Sequence, residues 1–282
     1  MDIRTILADA TLELADSGSD SPRLDADVLL MHLLKLERVR LLSHPELKIT
    51  EKQKNDFTRL IERRKKGEPV SYIIGSKEFW SLSFKVTKEV LIPRPETECL
   101  IEEVLRFYVS SSDGLRICDI GTGSGVIAVV LAKELPSVRV VATDNSAEAL
   151  AVAAENALCH GVAERIDFFE TDILAGVSGD FDVLCSNPPY ISGDEYPFLP
   201  EGIRYFEPRK ALLAGTKGLA MHRKIIAEGM RRLKAGGRIF IEIGAEQKDT
   251  VFSFFMEEGG YCDICCRKDY GGTDRVLSAR RA

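Results

Sequence analysis

From Leu115 onward the chain repeats one rhythm: a short apolar run, a turn, then a longer stretch with helical spacing. LRICDI reads as a strand and VIAVVLAKEL as a helix, and VRVVATD with AEALAVAAENALCHG repeats the pair. IDFFETD and FDVLCS are strands. GLAMHRKIIAEGMRRLKAGG, RIFIEIG and DTVFSFFMEEGG continue as helix, strand and helix. YCDICCRKD and DRVLSAR close as a strand pair. Apolar runs of strand length alternating with helices build a mostly parallel sheet covered on both faces. The pattern predicts an α/β fold, a doubly wound Rossmann-like sheet over residues 95–282, with its ligand crevice beyond the carboxyl ends of the strands.

The residues before it have another texture. SPRLDADVLLMHLLKL carries Ser21 as an N-cap, Pro22 at the first helical position and apolar residues at three-and-four spacing. TEKQKNDFTRLIERRKKG repeats the plan, with Thr50 as cap and Gly67 as stop. A small all-helical domain is expected over residues 1–75. SKEFWSLSFKVTKEVLI then alternates apolar and polar residues, predicting a β-hairpin linker over residues 76–94. PRPETE breaks the chain and caps a helix starting near Glu96.

Composition narrows the function classes. In 282 residues the formal net charge is −6, which argues against a protein that coats nucleic acid. Residues 1–75 carry 13 cationic and 13 anionic side chains and the remainder carries 25 and 31, so the helical part is the better place to meet an acidic partner. Its densest basic run is Arg63 to Lys66, for which a solvated helix end is the plainer explanation. The seven cysteines follow no export signal and no apolar run approaches membrane length, so a cytoplasmic protein with reduced thiols is expected. Cys262, Cys265 and Cys266 have no second pair at zinc spacing and the four histidines are scattered; alternate positions of a strand explain them, and no metal is expected.

DIGTGSG, Asp119 to Gly125, stands at the first strand-to-helix turn. Gly121, Gly123 and Gly125, with Thr122 and Ser124 between them, let backbone approach a ligand closely. The order is G-x-G-x-G: the dinucleotide fingerprint would need glycine at Val126, and the Lys-Ser/Thr of a phosphate loop is missing. A tight turn with no ligand is the competing explanation. Asp144 closes the next strand about 20 residues on, where a carboxylate commonly accepts ribose hydroxyls. Asp172 closes the one after, within reach of an adenine edge. Either acid alone could be a helix cap. Three such signals at successive strand ends favour a nucleoside ligand without a pyrophosphate, and S-adenosylmethionine (AdoMet) fits.

CSNPPYIS follows the fourth strand. Two prolines fix φ twice and remove two backbone donors. In that setting the Asn187 side-chain oxygen and the Pro188 carbonyl can accept both N–H bonds of a planar NH₂ group, orient its nitrogen and stabilise positive charge developing there. Pro189 stiffens the loop and Tyr190 can stack on the planar group. A surface turn is the competing explanation.

At these residues the chain resembles methyltransferases that act on planar amino nitrogens. Glu68 to Leu100, Phe206 to Gly215 (FEPRKALLAG) and Asp269 to Leu277 (DYGGTDRVL) are similar to the release-factor glutamine methyltransferases. That resemblance implies a class I AdoMet-dependent enzyme that methylates the side-chain amide of the Gln in the Gly-Gly-Gln loop of bacterial peptide chain release factors. By motif, Gly121 to Gly125, Asp144 and Asn187 would hold AdoMet, and Asp172 and Ile173 would flank adenine. Asn187, Pro188, Pro189 and Tyr190 would hold the glutamine amide, with Asn187, Pro188 and Tyr190 as the catalytic group. Phe79, Trp80, Arg94, Pro95, Glu96 and Thr97 would help line the pocket. Some members carry a bulky aromatic near position 173; with Ile173, apolar packing is the alternative to stacking. The resemblance further implies a monomer whose partner is a release factor, with no direct contact to nucleic acid or membrane. A ribosomal-protein glutamine methyltransferase, a nucleic-acid adenine methyltransferase and a non-catalytic binding module are the competing assignments.

Overall fold

A computed structural model describes residues 1–110, 113–215 and 218–282. Two compact units emerge: Met1–Ser76 with Pro200–Phe206, and Lys77–Leu199 with Glu207–Ala282.

The first unit is helical, with α1 (Ile3–Asp16), α2 (Pro22–Leu34), α3 (Arg38–Ser43), α4 (Glu51–Lys65) and α5 (Val70–Ile74). Caps set the helix starts. The Thr5 N–H donates to the Asp2 carboxylate at 2.9 Å, and Thr50 and Gln53 form a reciprocal capping box. Ser21 sits at the start of α2, but its hydroxyl donates to Asp25 instead of accepting from backbone. The core gathers Ile3, Leu7, Leu14, Leu29, Leu30, Phe57 and Ile61 from the apolar faces of α1, α2 and α4. The basic run at the end of α4 is internally paired: Arg63 with Glu68, Arg64 with Asp25, and Lys65 with Glu13 and Glu62. At least these three cations are already neutralised, which supports the plainer explanation of that run.

The second unit opens with a hairpin, β1 (Ser76–Phe79) and β2 (Leu82–Lys85). Its two turn residues, Trp80 (φ 53°) and Ser81 (φ 55°), are both left-handed, as a two-residue hairpin turn requires, although neither is Gly or Asn. Trp80 is held by its backbone N–H to Glu98 (2.8 Å) and its indole N–H to Glu134 (2.9 Å). Asn156 also anchors the hairpin: its side chain accepts from the Lys85 N–H and donates to the Lys85 and Ser124 carbonyls.

After α6 (Glu98–Tyr108) come β3 (Arg116–Ile120), α7 (Val126–Glu134), β4 (Arg139–Asp144), α8 (Ala147–Cys159), β5 (Ile166–Glu170) and β6 (Phe181–Ser186). The short helices α9 (Glu201–Phe206), in the first unit, and α10 (Arg209–Leu212) precede α11 (Ala220–Arg232), β7 (Leu233–Glu242), α12 (Lys248–Glu258), β8 (Tyr261–Lys268) and β9 (Asp274–Arg281). The seven-stranded sheet runs β5-β4-β3-β6-β7-β9-β8; β9 alone is antiparallel to its neighbours β7 and β8. One expectation needs correction. LKAGG leaves the helix and opens β7, because Leu233 is fully buried and pairs with Phe181, while Gly236 (φ 79°) absorbs the register shift before Arg238.

Strand order reverses between β3 and β6, which leaves a crevice at their carboxyl ends. Register concentrates the chemistry there. Ile120 pairs with Thr143 and with Ser186, and Ser186 pairs with Ile241. The residues that follow, Gly121, Asp144, Asn187 and Glu242, therefore emerge on one edge. Among the described residues no helix is long and apolar enough to cross a membrane.

Candidate active site

A cleft of about 330 Å³ opens at that edge. Its walls are the loops after β3 (Gly121 to Ser124), β4 (Asp144 to Ser146), β5 (Thr171 to Ile173) and β6 (Asn187 to Pro189), with Arg94 and Thr97 before α6 and Lys210 on α10.

The glycine loop is shaped by hydrogen bonds to β4. The N–H groups of Gly121 and Thr122 donate to the Thr143 carbonyl at 2.8 and 2.9 Å, and the Gly123 N–H donates to Asp144 Oδ2 at 2.9 Å. Gly125 has a packing role: at φ 83°, an added Cβ would lie 3.0 Å from the Ala153 Cβ, so α7 and α8 can approach only over glycine. The other Asp144 oxygen accepts from the Ser146 N–H at 3.0 Å. Burial raises the Asp144 pKa, and the Gly123 and Ser146 N–H groups oppose that rise. Each oxygen keeps accepting capacity for a further donor. Beneath the loop Asp119 is fully buried; it accepts from the Thr122 hydroxyl (2.6 Å) and the Ala128 N–H (3.2 Å). Desolvation pushes it up to about 7.

Asp172 stands at the rim with its side chain 65% exposed and Lys224 3.9 Å away. Ile173 beside it is buried and left-handed at φ 58°, an uncommon conformation for a β-branched residue. Its carbonyl accepts from the buried Thr143 hydroxyl at 2.8 Å, which helps hold it there.

Asn187 lies opposite. Its amide nitrogen donates to the Thr97 hydroxyl oxygen at 2.9 Å, and that hydroxyl donates to Glu242 Oε2 at 2.8 Å. With its nitrogen engaged behind the wall, Asn187 has its oxygen left to accept. Glu242 is fully buried, and desolvation pushes it up to about 7 against the pull of the Thr97 hydroxyl and Arg275. A second buried carboxylate, Glu207, accepts from Arg94 (2.5 Å) and from the Ile92 N–H (3.2 Å), pinning the strand of chain that carries Thr97.

Most of the expected residues meet at this cleft: Gly121, Thr122, Gly123, Ser124, Asp144, Asp172, Ile173, Asn187, Pro188, Pro189, Arg94 and Thr97. Others stand off its walls. Phe79 is buried edge-on to Phe84 in the core, and Trp80 occupies the hairpin turn. Pro95 and Glu96 form the turn ahead of α6. Tyr190 is half-buried, its carbonyl accepting from the Gln247 amide, and burial with the Glu242 charge raises its pKa to about 12. Lys210, Glu207 and Glu242 have no role in the sequence reading. Glu242 had a signal, a lone acid inside the apolar run RIFIEIG, since a carboxylate in a buried strand needs a partner.

The site suits a ligand with neighbouring hydroxyls at Asp144, an apolar ring near Ile173, and an NH₂ donor near Asn187. Comparison with known proteins identifies the family of the chain. Residues 5–75 match the PrmC N-terminal domain and residues 97–199 the methyltransferase small domain. The chain is 41% identical to the release factor glutamine methyltransferase of Moorella thermoacetica over 282 residues, covering 100% of this chain and 99% of that one. It is 40% identical to the same-named protein of Rhodopirellula baltica over 270 residues, 94% of this chain and 91% of that one. In fold it is similar to a methyltransferase from Pyrococcus furiosus, with TM-score 0.54, 18% identity, and 81% of this chain and 98% of that chain covered. It is also similar to the RsmC rRNA methyltransferase of T. thermophilus in complex with AdoMet and guanosine, with TM-score 0.54, 16% identity, and 73% and 50% covered. At such coverage and identity the chain belongs to the release factor glutamine methyltransferase family.

Proposed function

We propose that this protein transfers a methyl group from AdoMet to the side-chain amide nitrogen of the glutamine in the Gly-Gly-Gln loop of a bacterial release factor. The observation that carries this reading is the fixed Asn187 amide, whose nitrogen is bound to Thr97 so that its oxygen can accept at the cleft. Family membership supports the substrate class.

The donor set suits AdoMet. Asp144 has accepting capacity for ribose hydroxyls, the glycine loop can lie against the methionine part, and Asp172 and Ile173 flank the adenine. AdoMet supplies an electrophilic methyl on a sulfonium. The protein's task is to present the amide nitrogen, whose lone pair is delocalised into its carbonyl. The Asn187 oxygen and the Pro188 carbonyl accept the two N–H bonds, aim the nitrogen and stabilise the positive charge that grows on it. When bound, AdoMet would give up its methyl and leave as the neutral thioether S-adenosylhomocysteine, and one N–H proton of the methylated amide would pass to solvent afterwards, so no strong base is required. The Tyr190 carbonyl, accepting from the Gln247 amide, anchors the end of the loop.

The helical residues 1–75 serve as the docking domain, residues 76–94 as a hairpin linker and residues 95–282 as the catalytic domain, working as a cytoplasmic monomer on a protein partner. The decisive experiment mixes the purified protein, AdoMet and release factor and locates the added methyl by peptide mass spectrometry. A methyl on the Gly-Gly-Gln glutamine is expected; a methyl on another residue, or none, refutes the reading.

A further inference from the structure

Glu242 touches no part of the cleft, yet it ends the chain of hydrogen bonds that fixes the group facing the substrate. We propose that Glu242 is a positioning residue that acts through Thr97 to set which end of the Asn187 amide faces the acceptor. The proposal rests on the reading that Asn187 receives an amide NH₂.

The argument is one of donors and acceptors. A carboxylate can only accept, so the Thr97 hydroxyl must turn its single proton toward Glu242. The Thr97 oxygen then presents a lone pair to Asn187, and only the NH₂ end of Asn187 satisfies it. The oxygen is left for the substrate. A protonated Glu242 reverses each step. It donates to Thr97, the Thr97 proton is free to turn toward Asn187, and the Asn187 oxygen now has a donor behind it. The amide can rotate and offer NH₂ to the cleft, where it meets the substrate NH₂ donor to donor.

The surroundings place this choice within the working pH range. Glu242 is fully buried, and its Oε1 has no hydrogen bond of normal geometry, although the Tyr190 hydroxyl favours the charged form. Arg275 on β9 and Thr97 also favour the charged form, while Glu96 and burial oppose it, for a pKa of about 7. His222 on α11 bonds the Glu242 backbone carbonyl, and burial holds it neutral with a pKa of about 4, so it adds no charge above that pH. The deprotonated form is the competent one, so turnover falls as pH drops through the Glu242 pKa. Asp119 also titrates near 7, so the loss of this limb on altering Glu242 is the discriminating result.

The test uses the full chain with AdoMet and release factor. Thr97→Val removes the hydroxyl at nearly constant volume, and Thr97→Ser restores it. The expected result is a kcat lowered roughly tenfold or more in Thr97→Val, as for outer-shell partners elsewhere, with little change in KM and largely restored kcat in Thr97→Ser. AdoMet affinity by calorimetry stays near wild type in both and certifies the fold. In Glu242→Gln the acid limb of kcat disappears. Independently of any substrate, the Asn187 side-chain NH₂ resonance should titrate in the wild type and stop titrating in Glu242→Gln. Wild-type kcat in Thr97→Val, an equal loss in both Thr97 variants, or an Asn187 resonance indifferent to Glu242 each overturns the proposal. A failure of the wild type to methylate glutamine would instead overturn the functional reading, while the resonance still tests the relay.

Discussion

The Gly123 N–H and Asp144 Oδ2 are joined at 2.9 Å, so the acid that closes β4 also holds the middle of the glycine loop. One residue thus shapes the cleft and offers a charged acceptor to it. Asp144→Ala removes both functions. AdoMet affinity is expected to fall by roughly 1.5–3 kcal/mol in calorimetry, the usual worth of hydrogen bonds to a charged group. Asp144→Asn keeps acceptor capacity at one oxygen and is expected to lose less. Unchanged affinity in the alanine variant would place the ribose elsewhere.

Asn187→Ala separates acceptor from donor. On the proposed reading its amide faces the substrate NH₂, so AdoMet binding is expected to persist while turnover falls roughly 100-fold or more, by analogy with the loss of one oriented group at a developing charge. Asn187→Asp keeps an oxygen acceptor but places a second carboxylate near Glu242, and partial activity at most is expected. Near wild-type turnover in Asn187→Ala would remove the residue from the mechanism.

The parts of this site that could be read from sequence are those carried by backbone rules. Strand-end acids, a glycine loop and Asn-Pro-Pro-Tyr all follow from period, turn chemistry and register, because parallel strands in register deliver their ends to one edge. Partnerships over long separations were not legible. Thr97 meets Asn187 across 90 residues and Glu242 across 145, and Arg94 meets Glu207 across 113. Such pairs depend on the packing of α6 and the segment before it, which no local pattern encodes. The position of Phe79 and Trp80 off the cleft walls was illegible for a similar reason. Alternation marks a strand face as buried but not whether it faces the cleft or the core.

The Arg94 and Glu207 pair is asymmetric in burial: the Glu207 side chain is 1% exposed and that of Arg94 28%. Removing Arg94 strands a buried carboxylate, whereas Glu207→Gln leaves a neutral amide against a partly solvated guanidinium. Arg94→Ala is expected to destabilise the protein by ~3 kcal/mol, and Glu207→Gln by clearly less. Denaturant unfolding of both single variants and the double variant checks this. Equal losses would show that the ion pair contributes no more than its hydrogen bonds to the linker.

Acid stability should carry the signature of His222. Its pKa falls from 6.5 in the unfolded chain to about 4 in the fold because burial disfavours the cation. Between those values the unfolded state binds a proton that the folded state refuses, so this group's contribution to stability falls as pH drops from 6.5 to 4, by ~1.4 kcal/mol per pH unit. Asp119 and Glu242, raised to about 7, act with the opposite sign over much of the same range. The informative quantity is therefore a difference: the stability of His222→Gln relative to wild type should rise as pH falls through that window. A difference independent of pH would mean that His222 is protonated in the fold.

On the proposed reading the Asn187 loop recognises only a planar amide, a group present in every protein that contains glutamine. Selection of one glutamine must come from docking elsewhere, and the helical unit, with its own core and its own caps, is the available surface. A chain beginning at Lys77 keeps the glycine loop, Asp144, Thr97, Asn187 and Glu242, and is expected to bind AdoMet. Pro200–Phe206 groups with the helical unit and would lose those neighbours, so AdoMet binding also serves as the check that the remainder is folded. Methylation of intact release factor is expected to fall mainly through a raised KM, since uniform binding is lost while the chemistry is untouched. A short Gly-Gly-Gln peptide, unable to use the docking surface, is expected to be a poor substrate for both chains and to distinguish them little. Undiminished kcat/KM on intact release factor in the shortened chain would show that the helical unit does not select the substrate.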